Sequence, residues 1–375
     1  MNIIESLNAL QTRANEFAES YCIVNGAVMP LAEIHSMGYD EFALRSKINM
    51  PLRLYRYYPN IVNNDTHVNY SLQALRDNTV YLQSPTLFDD VYDSDISIDY
   101  PVYFRARLFE FCKRAGIHMK DSSAIEEAGT ALASFLWNYA QSNTSLEYAI
   151  CTQSENELEN GSNRIFCLRI EKDLRNGKDW GFAINNAITQ EYTDYCDSLK
   201  NTFRTVCFAT TPYSQLMWGG SYADYHRGFC IEYTIQPHEK EYETVYYNLF
   251  PMIYCKVRPD MTQRLIDMKD KEVTKESIWD IYSHGALRKS IDWAFQNEWR
   301  LLLPLRSKSP SDYNVKFFPI TKVFLGNRMP AHNRREIIDI CHAHSIPYVG
   351  VKRKADVFEM EDCETKCEDC PRFTL

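Results

Sequence analysis

Three polar side chains at alternate positions, Gln296, Glu298 and Arg300, interrupt the otherwise apolar stretch IDWAFQNEWRLLLP from Ile291 to Pro304. In an extended chain alternate residues share a face, so these three point one way while Asn297, Trp299 and Leu301 point the other. An amide, a carboxylate and a guanidinium carried in one line into a hydrophobic sheet must be paired or must open on a cleft, because a lone buried charge is costly. That strand is the first place to look for an active site. The plainer reading is an in-register salt bridge from Glu298 or Arg300 to a neighbouring strand, for example to Arg56.

The elements that would position these groups can be read from periodicity. Residues 1–50 form a helical lead, with Ile4, Leu7, Leu10 and Ala14 at helical spacing and then Leu31, Ile34 and Phe42 in a second pattern. The core spans 51–350 and opens with a strand over LRLYRYYP (Leu52 to Pro59), a helix over SLQALRDN (Ser71 to Asn78) and a strand over TVYLQSP (Thr79 to Pro85), closed by the loop FDDVYDSD. A helical insertion occupies about 103–162. Strands resume at RIFCLRI (Arg164 to Ile170), TVCFATT (Thr205 to Thr211), RGFCIEYTI (Arg227 to Ile235), VYYNLF with MIYCKV (Val245 to Val257), EWRLLL (Glu298 to Leu303) and KVFLG (Lys322 to Gly326). Helices fill Met261 to Ile281 and Arg334 to Ala343, the second capped near Asn333. Strands that mostly follow one another predict an α+β domain with a mixed or antiparallel sheet, and 351–375 form a cysteine-containing tail. The chain carries neither GxGxxG nor GxxxxGK, which disfavours classical dinucleotide folds and phosphate-loop NTPases.

The formal charge of −9 excludes general nucleic-acid affinity and leaves room only for a local basic groove. The N-terminal residues lack the basic and apolar segments of a signal peptide, and no stretch reaches membrane-span length, so the expectation is a cytoplasmic protein with no membrane partner. Most of the 12 cysteines stand singly in apolar contexts, as Cys167, Cys207, Cys230 and Cys255 do, and read as reduced core thiols.

Four segments together resemble the bacterial family catalogued as domain of unknown function 2971. They are LYRYYP with SLQALRDNTVYLQSPTLFDD, then CFATTPYSQLMWGGSYADYHRGFCIEY, then QNEWRLLLP, then VFLGNRMPAHNRREIIDIC, spanning roughly residues 52 to 350. The chain departs from the family's pattern at Asp89 and Val91, where Asn and Pro are usual, and at Gln296, where a Glu is usual. A more distant resemblance, to ADP-ribosyltransferases, implies roles. An Arg in an early strand, a Ser/Thr-rich strand end and a late Gln/Glu-x-Glu strand would be Arg56, Thr210 with Thr211, and Gln296 with Glu298. The resemblance implies an ADP-ribosyltransferase scaffold and NAD as substrate. Its diphosphate would lie on Arg56, its ribose cation beside Glu298, and the nucleophile in front of Gln296. Tyr222 or Trp218 would stack on a ring of NAD, and His226 would bond a ribose hydroxyl or phosphate. The acceptor would be a protein or nucleic acid, in a toxin or antiphage setting with a partner protein or antitoxin. For Trp218 the ordinary reading is a core aromatic, and for Thr210 and Thr211 a strand end before Pro212.

Cys363, Cys367 and Cys370 are spaced CxxxCxxC and could give three thiolates to Zn²⁺, against the alternative of a loose acidic tail. Two other functions stay open: a non-enzymatic module binding a nucleotide, nucleic acid or protein, and a metal-dependent nuclease or phosphotransferase holding Mg²⁺ on Asp89, Asp90, Asp93 and Asp95.

Overall fold

A computed structural model describes residues 3–120, 122–141, 157–268, 279–305, 309, 313–364 and 367. They fall into two compact units, one of 1–94, 200–257 and 285–375, the other of 95–199 and 258–284.

The first unit is α+β. Its strands are β1 (Tyr21–Val24), β2 (Ala27–Pro30), β3 (Arg53–Tyr58), β4 (Thr79–Tyr81), β5 (Phe203–Phe208), β6 (Phe229–Thr234), β7 (Leu249–Pro251), β8 (Ile253–Cys255), β9 (Arg288–Ser290), β10 (Trp299–Pro304), β11 (Asn314–Lys316), β12 (Ile320–Leu325), β13 (Tyr348–Arg353) and β14 (Met360–Asp362). The main sheet is mixed, in the order β14-β13-β12-β6-β3, with β12 and β13 parallel and the other neighbours antiparallel. A second sheet, β5-β10-β7, is antiparallel. Reciprocal backbone hydrogen bonds between Tyr55 and Ala209, of 2.9 and 2.7 Å, join the free edge of β3 to the end of β5. Residues of the early strand thus reach those of the strand that pairs with β10.

Period-two alternation sets the faces. Leu54 and Tyr58 of β3 pack with Phe229, Ile231 and Tyr233 of β6 and with Trp299 and Leu301 in the largest apolar cluster. Tyr55, Tyr57 and Cys230 turn to the other face, against Trp218, Phe324 and Val351. One charged side chain, Glu232, is buried in β6; it accepts hydrogen bonds from Tyr55 Oη (3.1 Å) and Thr321 Oγ1 (2.8 Å). Helix Tyr70–Asp77 begins where the Asn69 side chain accepts from Leu72 N and stops at Asn78, whose φ is +50°.

Several elements differ from the sequence reading. The lead is not wholly helical: after helix Ile3–Ser20, β1 and β2 form a hairpin about Asn25 and Gly26, with φ of +50° and +78°. That hairpin continues through β8 and β9 into a four-stranded sheet. RIFCLRI is no strand but part of helix Glu157–Arg175. Its buried residues Phe166, Cys167 and Ile170 follow a helical repeat, while Ile165 and Leu168 are half exposed. Val245 to Tyr247 end a short helix rather than a strand. The late helix starts at Ala331 after Pro330, so Asn333 is not its cap.

The second unit is helical, built from Tyr100–Arg114, Ile125–Gln141, Glu157–Arg175, Trp180–Asn201 and Thr262–Met268. Phe111 and Phe166 stack at 3.5 Å in its core, and the buried Arg107 holds Glu191 through two bonds of 2.8 and 2.9 Å. Among the described residues no helix is long and apolar enough to cross a membrane.

Two glycines close the first unit's backbone. A Cβ on Gly228 would collide with the carbonyl oxygen of Tyr58, and one on Gly326 with that of His226. Gly228→Ala and Gly326→Ala are each expected to cost about 1–3 kcal/mol in urea unfolding, whereas Gly129→Ala, with open space around its Cβ, should not destabilise.

Candidate functional site

The alternation at the start of β10 holds, with one change of backbone. Gln296 ends a 3₁₀ turn, Ile291–Gln296, and Asn297 at φ +39° swings the chain into the strand. Asn297 is fixed by a hydrogen bond from Nδ2 to Thr210 Oγ1 (2.7 Å), and Glu298 by one from its backbone N–H to Tyr254 Oη (2.8 Å). Trp299 and Leu301 enter the apolar core, so Glu298 and Arg300 share the opposite face.

Arg300 is fully buried and saturated. Nε and Nη2 donate to Glu298 Oε1 at 2.8 and 2.7 Å; Nη1 and Nη2 donate to Asp93 Oδ1 and Oδ2 at 2.8 and 3.0 Å. Nη1 also reaches Ser94 Oγ (3.1 Å) and the carbonyl of Ala286 (2.8 Å), and the ring of Phe88 lies 5.3 Å from the guanidinium carbon. Lys289 completes the group, 3.3 Å from both Glu298 Oε2 and Asp93 Oδ2 and 2.9 Å from Gln296 Oε1. Two cations and two anions therefore form a neutral buried tetrad. Burial alone would raise the Asp93 carboxyl, but Arg300 and Lys289 outweigh it and hold Asp93 down at about 2. Burial likewise opposes, and the same two cations overcome, so that Glu298 lies below its ordinary value. The salt bridge anticipated for Glu298 is real, but its partners are Arg300 and Lys289 and not Arg56.

A cavity of about 270 Å³ opens on this tetrad. Its wall includes Asp93, Lys289, Gln296, Glu298, Arg56, Thr205 and Cys207, with aromatic surface from Tyr55, Tyr57, Phe88, Tyr222 and Trp293. Arg56 donates from Nη1 to the carbonyl of Cys207 (3.0 Å) and lies over the ring of Tyr58. Among the described residues its buried Nε has no hydrogen-bond partner, and the same is true of Thr205 Oγ1 and Asp90 Oδ2, all on residues lining the cavity. A buried polar atom without a partner is uncommon and points to a ligand or water. Burial and the neighbouring Glu298 push the Cys207 thiol up to about 12.

Of the residues singled out from sequence, Arg56, Tyr222, Gln296 and Glu298 meet in this cavity, and Gln296 Nε2 donates to Tyr222 Oη at 2.7 Å. Thr210, Thr211, Trp218 and His226 do not line it. Thr210 holds Asn297, and Thr211 accepts the hydroxyl of Tyr57 on its carbonyl (2.9 Å). Trp218 is fully buried, with Nε1 bonded to the carbonyl of Pro212 (2.7 Å) and its ring edge-on to Tyr57, so it cannot stack on a ligand. His226 packs on the Trp218 ring instead of facing the cavity. Asp93 is 2% exposed and serves Arg300, and Asp89 and Asp90 line the cavity with it. Among the described residues no three side chains converge as a metal site. Cys367 is buried and Cys363 half-buried, both beside Gly350; Cys370 lies outside the described residues. Sequence reasoning missed Lys289 and Thr205, whose neighbourhoods carry no motif.

Fold and site together define an α+β protein with an aromatic cavity seated on a buried ionic tetrad. Residues 217–301 match the model of a family described as Protein of unknown function (DUF2971), a stretch that includes Trp218, Tyr222, Lys289, Gln296, Glu298 and Arg300. No curated protein and no solved structure matches the chain.

The depressed Asp93 carboxyl fixes the sign of a pH effect. Its stabilisation is complete above the ordinary carboxylate value and is lost as the pH falls towards about 2. Asp93→Asn should cost about 3–5 kcal/mol near pH 6, and its deficit relative to wild type should shrink by about 2 kcal/mol as urea unfolding is followed down to pH 3 and below.

Proposed function

We propose that the cavity takes the nicotinamide-ribose end of NAD and that the protein transfers ADP-ribose to a protein or nucleic-acid acceptor, or to water. The observation that carries this reading is that Arg56 and Glu298, far apart in the chain, line one cavity together with Gln296 and Tyr222. A volume of about 270 Å³ is near the lower limit for a small-molecule pocket, so it suits one end of a dinucleotide and leaves the adenosine outside.

In this reading Arg56 meets the diphosphate through its uncommitted Nε, and Thr205 Oγ1 and Asp90 Oδ2 bond the ribose hydroxyls or the carboxamide. The C1′–N bond breaks with its electron pair going to nicotinamide, and the oxocarbenium ion left behind is stabilised by the Glu298 carboxylate. The acceptor or water then forms the new bond to C1′ and releases a proton to solvent. Glu298 acts by charge alone, since Arg300 and Lys289 keep it ionised.

A second reading, a nucleotide-binding module without turnover, is favoured by one observation: both Glu298 oxygens already face a cation, Oε1 facing Arg300 and Oε2 facing Lys289. Chromatographic measurement of nicotinamide release from NAD, beside calorimetric binding, separates the two. The transferase reading expects release that falls about 100-fold or more in Glu298→Gln, with Arg56→Ala raising KM more than it lowers kcat. Binding without release selects the module; neither binding nor release removes both. Release that needs a divalent cation and stops on chelation would instead favour the metal-dependent alternative.

A further inference from the structure

A cationic cluster in the first unit lies outside the cavity and is untouched by the reading above. Asp224, Tyr225 and His226 are three successive non-glycine residues with positive φ, +46°, +52° and +70°, a conformation L side chains rarely adopt. The turn is held by bonds from Tyr225 N to Gly220 O (3.0 Å), from His226 N to Trp218 O (2.8 Å) and from Gly228 N to Ala223 O (2.8 Å). Arg227 is drawn to Asp224 through a fork of 2.7 and 3.0 Å. What this arrangement fixes is the His226 imidazole, nearly parallel to the Trp218 ring at 10° and 6.3 Å, with Nδ1 buried and, among the described residues, without a hydrogen-bond partner.

Two guanidiniums stand near it. Arg328 donates its backbone N–H to the carbonyl of His226 (3.0 Å). In the parallel pair β12 and β13, Leu325 is the partner of Gly350. Arg328 and Arg353 each lie three residues beyond those partners, so both leave the same end of the pair. Both are exposed, and among the described residues no carboxylate pairs with either side chain, whereas the adjacent Arg227, Lys352 and Lys354 are all ion-paired.

We propose that His226, Arg328 and Arg353 form a binding site for a phosphate-class oxyanion. Two unneutralised guanidiniums supply charge and donors, and an imidazole N–H with a fixed ring supplies direction. Burial, then Arg328 and Arg353, hold the imidazole below its ordinary value and therefore neutral at pH 7. An oxyanion between the guanidiniums offsets their repulsion, so binding raises the imidazole's titration midpoint.

The test follows the ring resonances of His226, assigned by their loss in His226→Gln, in the full-length chain titrated with inorganic phosphate against sodium chloride at equal ionic strength. The expected result is a saturable movement with phosphate only, a higher titration midpoint in its presence, and affinity reduced about tenfold or more in Arg328→Ala/Arg353→Ala. Adenosine 5′-monophosphate and a dinucleoside phosphodiester form separate arms. Tighter saturation by the first assigns the site to a nucleotide's terminal phosphate, by the second to a nucleic-acid backbone. Absence of saturation with every probe, or saturation unchanged in the double variant while circular dichroism shows it folded, overturns the proposal. Neither result bears on NAD binding in the cavity, which uses other residues.

Discussion

A guanidinium that has lost all contact with water dictates the arrangement around it. Arg300 must find acceptors for every donor, and it finds them on three separate pieces of chain: Glu298 two residues before it, Asp93 and Ser94 in the loop after β4, and the carbonyl of Ala286 before β9. Lys289 then balances the second negative charge. Such a network adds little net stability over an apolar core, because the desolvation of four charges offsets their attraction. Its effect is on uniqueness. Shifting β10 by one residue would bury Trp299 among carboxylates and turn Arg300 into the apolar cluster, so only one register satisfies both faces.

The chemistry left to the cavity follows from that saturation. Within the tetrad every charge is committed, and Glu298 stays ionised and immobile. It can act as a fixed negative centre beside a developing cation but not as a base that picks up a proton. Among the described residues that line the cavity, the atoms left unsatisfied are Arg56 Nε, Thr205 Oγ1 and Asp90 Oδ2. These come from three elements which the hydrogen bonds between Tyr55 and Ala209 and between Gln83 and Thr205 draw together.

Much of this was legible in the residues and some was not. The alternation of Gln296, Glu298 and Arg300 against Trp299 and Leu301 is a local property and reads directly from the chain. The identity of Arg300's partners is not local. Asp93 sits among other acidic residues that read as a solvated loop, and only the need to neutralise Arg300 distinguishes it. The hairpin at Asn25-Gly26 was readable, since that dipeptide between apolar residues is a strong turn signal, but the helical spacing of the preceding residues concealed it. RIFCLRI looked like a strand because its composition is β-like, whereas the burial of Phe166, Cys167 and Ile170 follows the helical period. Trp218 and His226 enter the site reading through the resemblance that they share with Tyr222; the left-handed turn at 224–226 that sets His226 on the Trp218 ring leaves no mark in composition.

The stretch 217–301 that matches the family model contributes Lys289, Glu298 and Arg300 but not Asp93, which completes the tetrad from outside it. Those three residues alone carry a net positive charge into a buried site, where screening is weak. A chain with the matched stretch and no carboxylate after β4 would have to lose Lys289 or import an anion in its place. Asp93 is therefore bound to Arg300 and Lys289 by charge balance and not by neighbourhood in sequence. The same loop carries Phe88, Asp89 and Asp90 to the cavity, so the ionic anchor that neutralises Arg300 also sets where those side chains line it.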